Sequence, residues 1–335
     1  MHSREWFELK ELLIIGPWRQ NSGPANVIRA LKNASDDSIS FIENEKGIKK
    51  VAEAVIKTLF SKSVVVSPAS PYGCRCLKIA KRFGKKTGLL MHGCISYESG
   101  INNIVPTSQD LECETDTLSL CDVIIGVSER YAEWLKEYYP QYKSKITFAN
   151  NGFELHYREK KPKDPFSVAV IGGNTPIKCN SYVYQAVEYL HKYVDRRYKL
   201  LIFGGIKESG DCIVENEFTL IKGFLDHDEL LEQLDSIGIV VVNSVVESFS
   251  LAAADTLECG CNLLVSRNVG FISVAEFGEN EIIKNYSDYK EIAKKIDAVR
   301  ITGNNQRIIS SINQELVTPA SQLTRILSIM RSPQI

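Results

Sequence analysis

Short apolar runs and amphipathic stretches alternate along almost the whole chain. Residues 12–15 form an apolar run closed by Gly16, and residues 64–67, 89–91, 123–127 and 146–149 are further runs of strand length. Stretches with helical spacing separate them. The first of these, residues 24–31, carries Pro24 in its opening turn, where a missing N–H costs nothing. Apolar runs alternating with helices predict parallel strands joined by crossover helices, an open α/β sheet.

The pattern breaks once. Arg158-Glu159-Lys160-Lys161-Pro162-Lys163-Asp164-Pro165 is charged and carries two prolines, the composition of a stiffened, solvated linker. Alternation restarts at Ser167-Val168-Ala169-Val170-Ile171-Gly172-Gly173, with further strands expected at 198–203, 218–221, 237–242 and 262–265. The expected organisation is an N-terminal Rossmann-like domain over 1–155, a linker over 156–165, a second Rossmann-like domain over 166–315, and a C-terminal helix over 316–335 that could cross back to the first lobe. Ligands of such sheets bind outside the carboxyl ends of the strands, so two facing lobes would define an interlobe cleft.

A chain of 335 residues can bury a large core. Its 44% hydrophobic and 24% charged content is that of a globular protein, and a net charge of −1 gives no global field for nucleic acid. The apolar runs are far short of a membrane span of roughly 20 residues. Met1-His2-Ser3-Arg4-Glu5 does not begin a secretory signal, so a cytoplasmic protein is expected. The nine cysteines form no C-x-x-C pair and have no histidines at zinc-site spacing, which predicts reduced thiols and no metal.

Four segments at strand ends could carry chemistry. In residues 16–24 a glycine-containing loop precedes a helix start and could offer backbone amides to a phosphate; a plain turn would look the same. His92, in Met91-His92-Gly93, ends an apolar strand. Lys178 closes the segment from Gly172 to Lys178 and could meet a pyrophosphate as a point charge. Glu247-Ser248-Phe249-Ser250-Leu251-Ala252-Ala253-Ala254-Asp255 follows the run 237–242 and sets two acids eight positions apart around a small-residue helix start. Such a helix start suits a phosphate, and the acids suit the hydroxyls of a sugar and a ribose, which points to a nucleotide-sugar enzyme. An ordinary helix start would account for Asp255 as a dipole partner but leaves Glu247 without a role. Separately, Arg75, Lys78, Arg82 and Lys85 fall on one helical face and Cys76, Ile79, Ala80 and Phe83 on the other. The basic face is either simply solvated or suited to an anionic membrane surface.

The order of these segments resembles the retaining glycosyltransferases of the GT-B fold, in particular family 4, from about residue 12 to 300. The family's E-x7-E motif reads here Glu247 to Asp255, and its small-residue trailer is similar to Glu258-Cys259-Gly260 through Val269-Gly270. Cys121-Asp122-Val123-Ile124-Ile125-Gly126-Val127-Ser128 resembles its Ala-Asp strand, and Asn150-Asn151-Gly152-Phe153-Glu154 its hinge.

The resemblance implies an α/β protein of GT-B architecture. It implies that Gly23 lies against the donor phosphates, His92 near the reacting sugar, and Lys178 at the diphosphate leaving group. Glu247 would hold donor-sugar hydroxyls, the Ser250 and Leu251 amides would face phosphate, Asp255 would take the ribose diol, and Phe249 belongs to the donor-binding set. Phe224 and Leu225, in Lys222-Gly223-Phe224-Leu225, would border the nucleobase. Catalytic roles fall to His92, Lys178 and Glu247, and Gly173 stands in the donor-binding set where relatives have arginine. Arg19 or Arg267 could restore that charge. The implied activity is a retaining, metal-independent, cofactor-free transfer from a nucleotide-diphosphate sugar to a saccharide or lipid-linked hydroxyl acceptor, in bacterial surface polysaccharide or glycolipid synthesis at the inner face of the cell membrane. Open alternatives are a sugar-nucleotide epimerase or phosphorylase of the same fold and a non-catalytic nucleotide-sugar-binding subunit.

Overall fold

The computed structural model describes residues 8–18, 22–42, 47–156, 158–159, 161–208 and 210–333. In chain order the described residues form β1 (Lys10–Ile15), α1 (Gly23–Asn33), β2 (Ile39–Phe41), α2 (Gly47–Leu59), β3 (Ser61–Val66), α3 (Pro71–Arg82), β4 (Lys86–Met91), α4 (Ile95–Ile101), α5 (Ser108–Leu120), β5 (Val123–Gly126), α6 (Glu129–Tyr138) and β6 (Ile146–Phe148). They continue with β7 (Asp164–Ile171), α7 (Asn180–Tyr193), β8 (Lys199–Phe203), β9 (Thr219–Gly223), α8 (His227–Leu234), β10 (Ile237–Val242), α9 (Leu251–Glu258), β11 (Asn262–Ser266), β12 (Ile282–Ile283), α10 (Tyr289–Thr302), α11 (Asn305–Ser311) and α12 (Pro319–Arg331). The chain divides into two units, one of Met1–Ser99, Val105–Gly152 and Glu315–Ile335, the other of Gly100–Ile104 and Phe153–Gln314.

The first unit holds a six-stranded parallel sheet in the order β2-β1-β3-β4-β5-β6. Leu12, Leu13, Ile14, Val64, Val65, Leu89, Leu90 and Ile124 are sealed in its core, as apolar runs covered by helices on both faces require. Connections leave β1 in opposite directions, so the loops after β1 and β3 frame a switch point, where open α/β sheets take ligands. These loops lie against each other: a Cβ on Gly16 would stand 2.7 Å from Ser67 O. Ser22, Ser70 and Ser128 cap α1, α3 and α6 by accepting from backbone N–H groups, with proline in the first turn of the first two. At the far end of the chain α12 packs on α1, β1 and β4 of this unit. The Gln322 side chain accepts from Gly152 N–H (2.9 Å) and donates to Asn151 Oδ1 (3.1 Å). A Cβ on Gly152 would come 2.4 Å from Pro319, so the glycine of the expected hinge is there because α12 starts against it.

In α3 the expected faces need correction. Cys76 and Ala80 are buried as expected and Ile79 is half-buried; Cys74 and Leu77, outside the expected face, are buried as well, and Phe83 lies beyond the helix and is 60% exposed. Lys85 also lies past the end of α3, and its Nζ donates to Leu59 O (2.8 Å) and Ser61 O, so it does not extend the basic face. Lys78 pairs with Asp116 at 2.8 Å, while Arg75 and Arg82 are exposed.

The second unit repeats the plan with the order β12-β11-β10-β7-β8-β9, all parallel. Val168, Val170, Leu200, Ile202, Ile239 and Val241 face one helical layer; Ala169, Phe203, Val240 and Cys261 face the other. The switch point lies between β7 and β10. The charged segment before β7 is tied down rather than loose: Arg158 and Lys161 both pair with Asp235, at 3.2 and 2.8 Å. Lys163 Nζ donates to Leu234 O and Cys259 O, satisfying carbonyls at the ends of α8 and α9. Strands β2 and β12, which no apolar run announces, are three and two residues long at sheet edges.

Candidate functional site

Loops after β7 and β10 build the switch point of the second unit. After β7 the chain turns through Gly172 (φ +109°) and Gly173 (φ +63°), whose N–H groups both donate to Phe203 O at 2.8 Å. Only glycine fits at 173, because a Cβ there would stand 2.0 Å from Gly205 O. The arginine that the resemblance leads one to expect here is therefore excluded by the backbone of the loop after β8. Asn174, buried, locks the two loops together: its Nδ2 donates to Lys207 O (2.8 Å) and Asp211 O (3.0 Å), and its Oδ1 accepts from Lys207 N–H (2.8 Å). A Cβ on Gly172 would lie 3.2 Å from Lys178 Cγ, so Gly172 leaves room for the stem of Lys178.

Lys178 Nζ pairs with Glu247 Oε2, which also accepts from Ser244 Oγ at 3.2 Å. The two side chains are 30% and 15% exposed, so the pair is partly shielded yet reachable. Glu247 is fixed by its backbone as well: its N–H donates to Asn268 O (3.2 Å) and its carbonyl accepts from Gly270 N–H (2.9 Å). Beneath the pair, Val245 N–H donates to Ile177 O at 2.9 Å, joining the loops after β10 and β7 directly.

The helix start that follows differs from its neighbours. Asp226 and Asp288 cap α8 and α10, whereas α9 is opened by Ser250 at φ +82°, with no side-chain cap. The N–H groups of Leu251 and Ala252 have no partner among the described residues. Open N–H groups at the positive end of a helix suit an anion, and a serine held at positive φ is a strained residue beside them. Phe249 is a correction. Its ring is buried against Phe153 and Phe271, with centroids 5.9 and 5.6 Å away, so it packs the core beneath the helix start instead of contacting a ligand.

Asp255, one turn into α9, has its Oδ1 3.2 Å from Nε2 of His227 on α8. The hydrogen bond raises the His227 pKa, against the lowering effect of burial. Sequence reading missed His227, since one histidine beside Asp226 and Asp228 carries no pattern. Directly after β9, Phe224 is 78% exposed while Leu225 packs inward on the core.

In the first unit Gly23 opens α1 at the switch point, with nothing within 4 Å of the place a Cβ would take. His92 follows β4; its Nε2 is buried without a partner among the described residues, and burial lowers its pKa to about 4. The turn after it is held by Glu114, buried in α5, which accepts from Ile95 and Ser96 N–H and from the Tyr139 hydroxyl (2.8 Å). Arg267 is exposed after β11, and Arg19 lies outside the described residues. Among the described residues no group of three or more His, Cys, Asp or Glu is arranged to hold a metal, and no helix is long and apolar enough to cross a membrane.

Residues 153–313, within the second unit, match the family described as Glycosyl transferases group 1. Solved structures superpose on nearly all of the chain. Anabaena HepE, in complex with UDP and glucose, aligns with a TM-score of 0.67 at 13% identity, covering 97% of this chain and 100% of that one. Sucrose-phosphate synthase from Thermosynechococcus elongatus aligns with 0.67 at 14% identity, covering 95% and 98%. S. aureus TarM, in complex with Fondaparinux, alpha-GlcNAc-glycerol and UDP, aligns with 0.57 at 15% identity, covering 84% and 59%. The fold is that of the GT-B glycosyltransferases. No curated protein matches the chain.

Proposed function

We propose that this chain is a glycosyltransferase that moves a sugar from a nucleoside-diphosphate sugar to a hydroxyl acceptor, with retention at the anomeric carbon and without a metal ion. One observation carries the reading: at the switch point of the sheet, Lys178 in the loop after β7 pairs with Glu247 in the loop that leads to the uncapped start of α9. A cation, an acid and free amides are what a diphosphate ester of a sugar needs, and solved proteins of like fold hold UDP with glucose or as UDP-glucose.

In this reading the Leu251 and Ala252 amides and Lys178 take the diphosphate, Glu247 accepts from hydroxyls of the donor sugar, and Asp255 accepts from the ribose. Phe224 borders the base. The bond from the anomeric carbon to the phosphate oxygen breaks while the acceptor oxygen bonds to that carbon from the same face. The acceptor's proton passes to the departing phosphate. Charge gathering on that phosphate is met by Lys178 and the helix start, the usual place for the largest electrostatic gain. Acceptors in surface polysaccharide or glycolipid synthesis, and a cytoplasmic enzyme touching the inner membrane face, complete the proposal.

A thermal-shift screen against nucleotide sugars tests the donor class, since a ligand at 100 times its Kd stabilises by about 2.7 kcal/mol. Proton NMR of the product then reads the anomeric configuration; inversion, or isomerised donor formed without acceptor, would overturn the assignment. A second reading, a binding subunit without turnover, is motivated by Gly173, which leaves Lys178 as the one cation in this turn. Donor binding with neither hydrolysis nor transfer would favour it.

A further inference from the structure

His227 is the first residue of α8, directly after the capping Asp226, and its Nε2 bonds Asp255 Oδ1 across to α9 at 3.2 Å. Asp255 Oδ2 has no partner among the described residues. A cation in the first turn of a helix is opposed by the helix dipole, so an imidazolium at this position depends on the carboxylate facing it. Asp228 on the same helix and Glu258 on α9 are the other charges that act on it. Glu258 is already engaged, its Oε2 accepting from His156 N–H at 3.0 Å. Exposed Phe224 stands three positions before His227, so an aromatic face, an imidazole and a half-free carboxylate share one end of the unit.

We infer that His227 is a positioning residue for the nucleoside end of the donor: it fixes Asp255 through Oδ1, leaves Oδ2 to accept from a ribose hydroxyl, and offsets the carboxylate charge beside a ligand that brings phosphate anions. This inference rests on the donor-site reading above. It makes affinity depend on pH in a definite direction. Protonated, His227 clamps Asp255 and cancels its charge; deprotonated, it keeps only a weaker hydrogen bond. The Asp255 hydrogen bond raises its pKa, and a nucleotide that brings phosphate anions beside the imidazolium favours the protonated form further, so nucleotide affinity falls as pH climbs through this range. By reciprocity, nucleotide binding raises the pKa further.

The test is calorimetric titration with UDP from about pH 6 to about pH 8.5 for the wild-type protein, His227→Gln, Asp255→Asn, and the double variant. The wild-type Kd should rise about three- to tenfold over this range relative to the His227→Gln profile, tenfold corresponding to a pKa change of about one unit on binding. The phosphate of UDP titrates alike in both proteins, so the difference between the profiles isolates His227. In the Asp255→Asn background the His227→Gln change should have no further effect. Parallel profiles for wild type and His227→Gln, with UDP bound, would sink this inference and leave the donor site standing. If UDP, GDP and ADP all fail to bind the wild-type protein, the donor-site reading falls and this inference with it.

Discussion

Lys178 and Glu247 reach each other from loops that follow two neighbouring strands, β7 and β10, at the one place where the connections of the second sheet diverge. Each residue of the pair would exchange its partner on donor binding, the lysine for phosphate and the glutamate for sugar hydroxyls. Lys178→Ala should lower turnover by about 10²–10³-fold, comparable to losing one oxyanion donor. Glu247→Gln keeps the size and the Ser244 contact and should cripple transfer as well. Both proteins should stay folded, because a partly exposed pair contributes about 1 kcal/mol or less. Steady-state kinetics beside circular dichroism would show this, and normal transfer by either folded variant would remove that residue from the site.

Ser250 occupies a left-handed conformation that costs a non-glycine residue about 1–2 kcal/mol. Ser250→Gly should therefore raise the melting temperature and preserve transfer, since the backbone amides of α9 carry the phosphate. Ser250→Val should do the opposite on both counts. Differential scanning calorimetry with a transfer assay separates these outcomes; a Ser250→Gly protein less stable than wild type would contradict the strain.

Gly173 leaves no room for a side chain, with Gly205 O 2.0 Å from the site of a Cβ. Gly173→Ala should destabilise by about 2 kcal/mol or more, from the conformation alone and before the clash is counted. Gly173→Arg, which installs the arginine expected from the resemblance, should be worse folded and no more active. Urea denaturation measures the first effect; a well-folded, faster Gly173→Arg enzyme would refute the second.

His92 is held neutral by burial, with its pKa lowered to about 4 from 6.5. The unfolded chain takes up this proton as pH drops below about 6.5, while the folded protein resists until about 4, so stability falls with pH across that window and is unaffected above it. Two and a half units correspond to a loss on the order of 3 kcal/mol. His92→Gln should show a shallower loss of stability between those limits in denaturant titrations at stepped pH. Identical acid limbs would mean that His92 titrates normally.

Much of this architecture was legible because both sheets are covered on both faces, which makes inner strands continuous apolar runs. Val64, Leu89, Ile124 and Val240 announce themselves in this way. β2 and β12, edge strands of three and two residues, do not, although the equally short edge strand β6 does. At the site, Lys178 and Glu247 were visible as polar residues at strand ends, but their pairing is a tertiary fact that no spacing encodes. Phe249 was misread because a buried aromatic beside a ligand loop looks in sequence like a ligand contact. Its neighbours Phe153 and Phe271 lie far off in the chain. His227 was invisible for the converse reason: its partner is 28 positions away, on another helix. The face drawn through Lys85 failed because α3 ends at Arg82 and helical periodicity cannot be extended past a helix end.

The last helix has a consequence for how the protein is made. The carbonyls of Ile329 in α12 and of Ser332, which caps it, accept from Lys86 Nζ of β4, and Gln322 ties down Asn151 and Gly152. The first unit is thus assembled from segments that precede and follow the second, of which residues 153–314 are continuous. On a ribosome the segment made in the middle can finish folding before the segment made first. The sheet of β1 to β6 waits, uncovered where α12 will lie, until synthesis has passed Arg331.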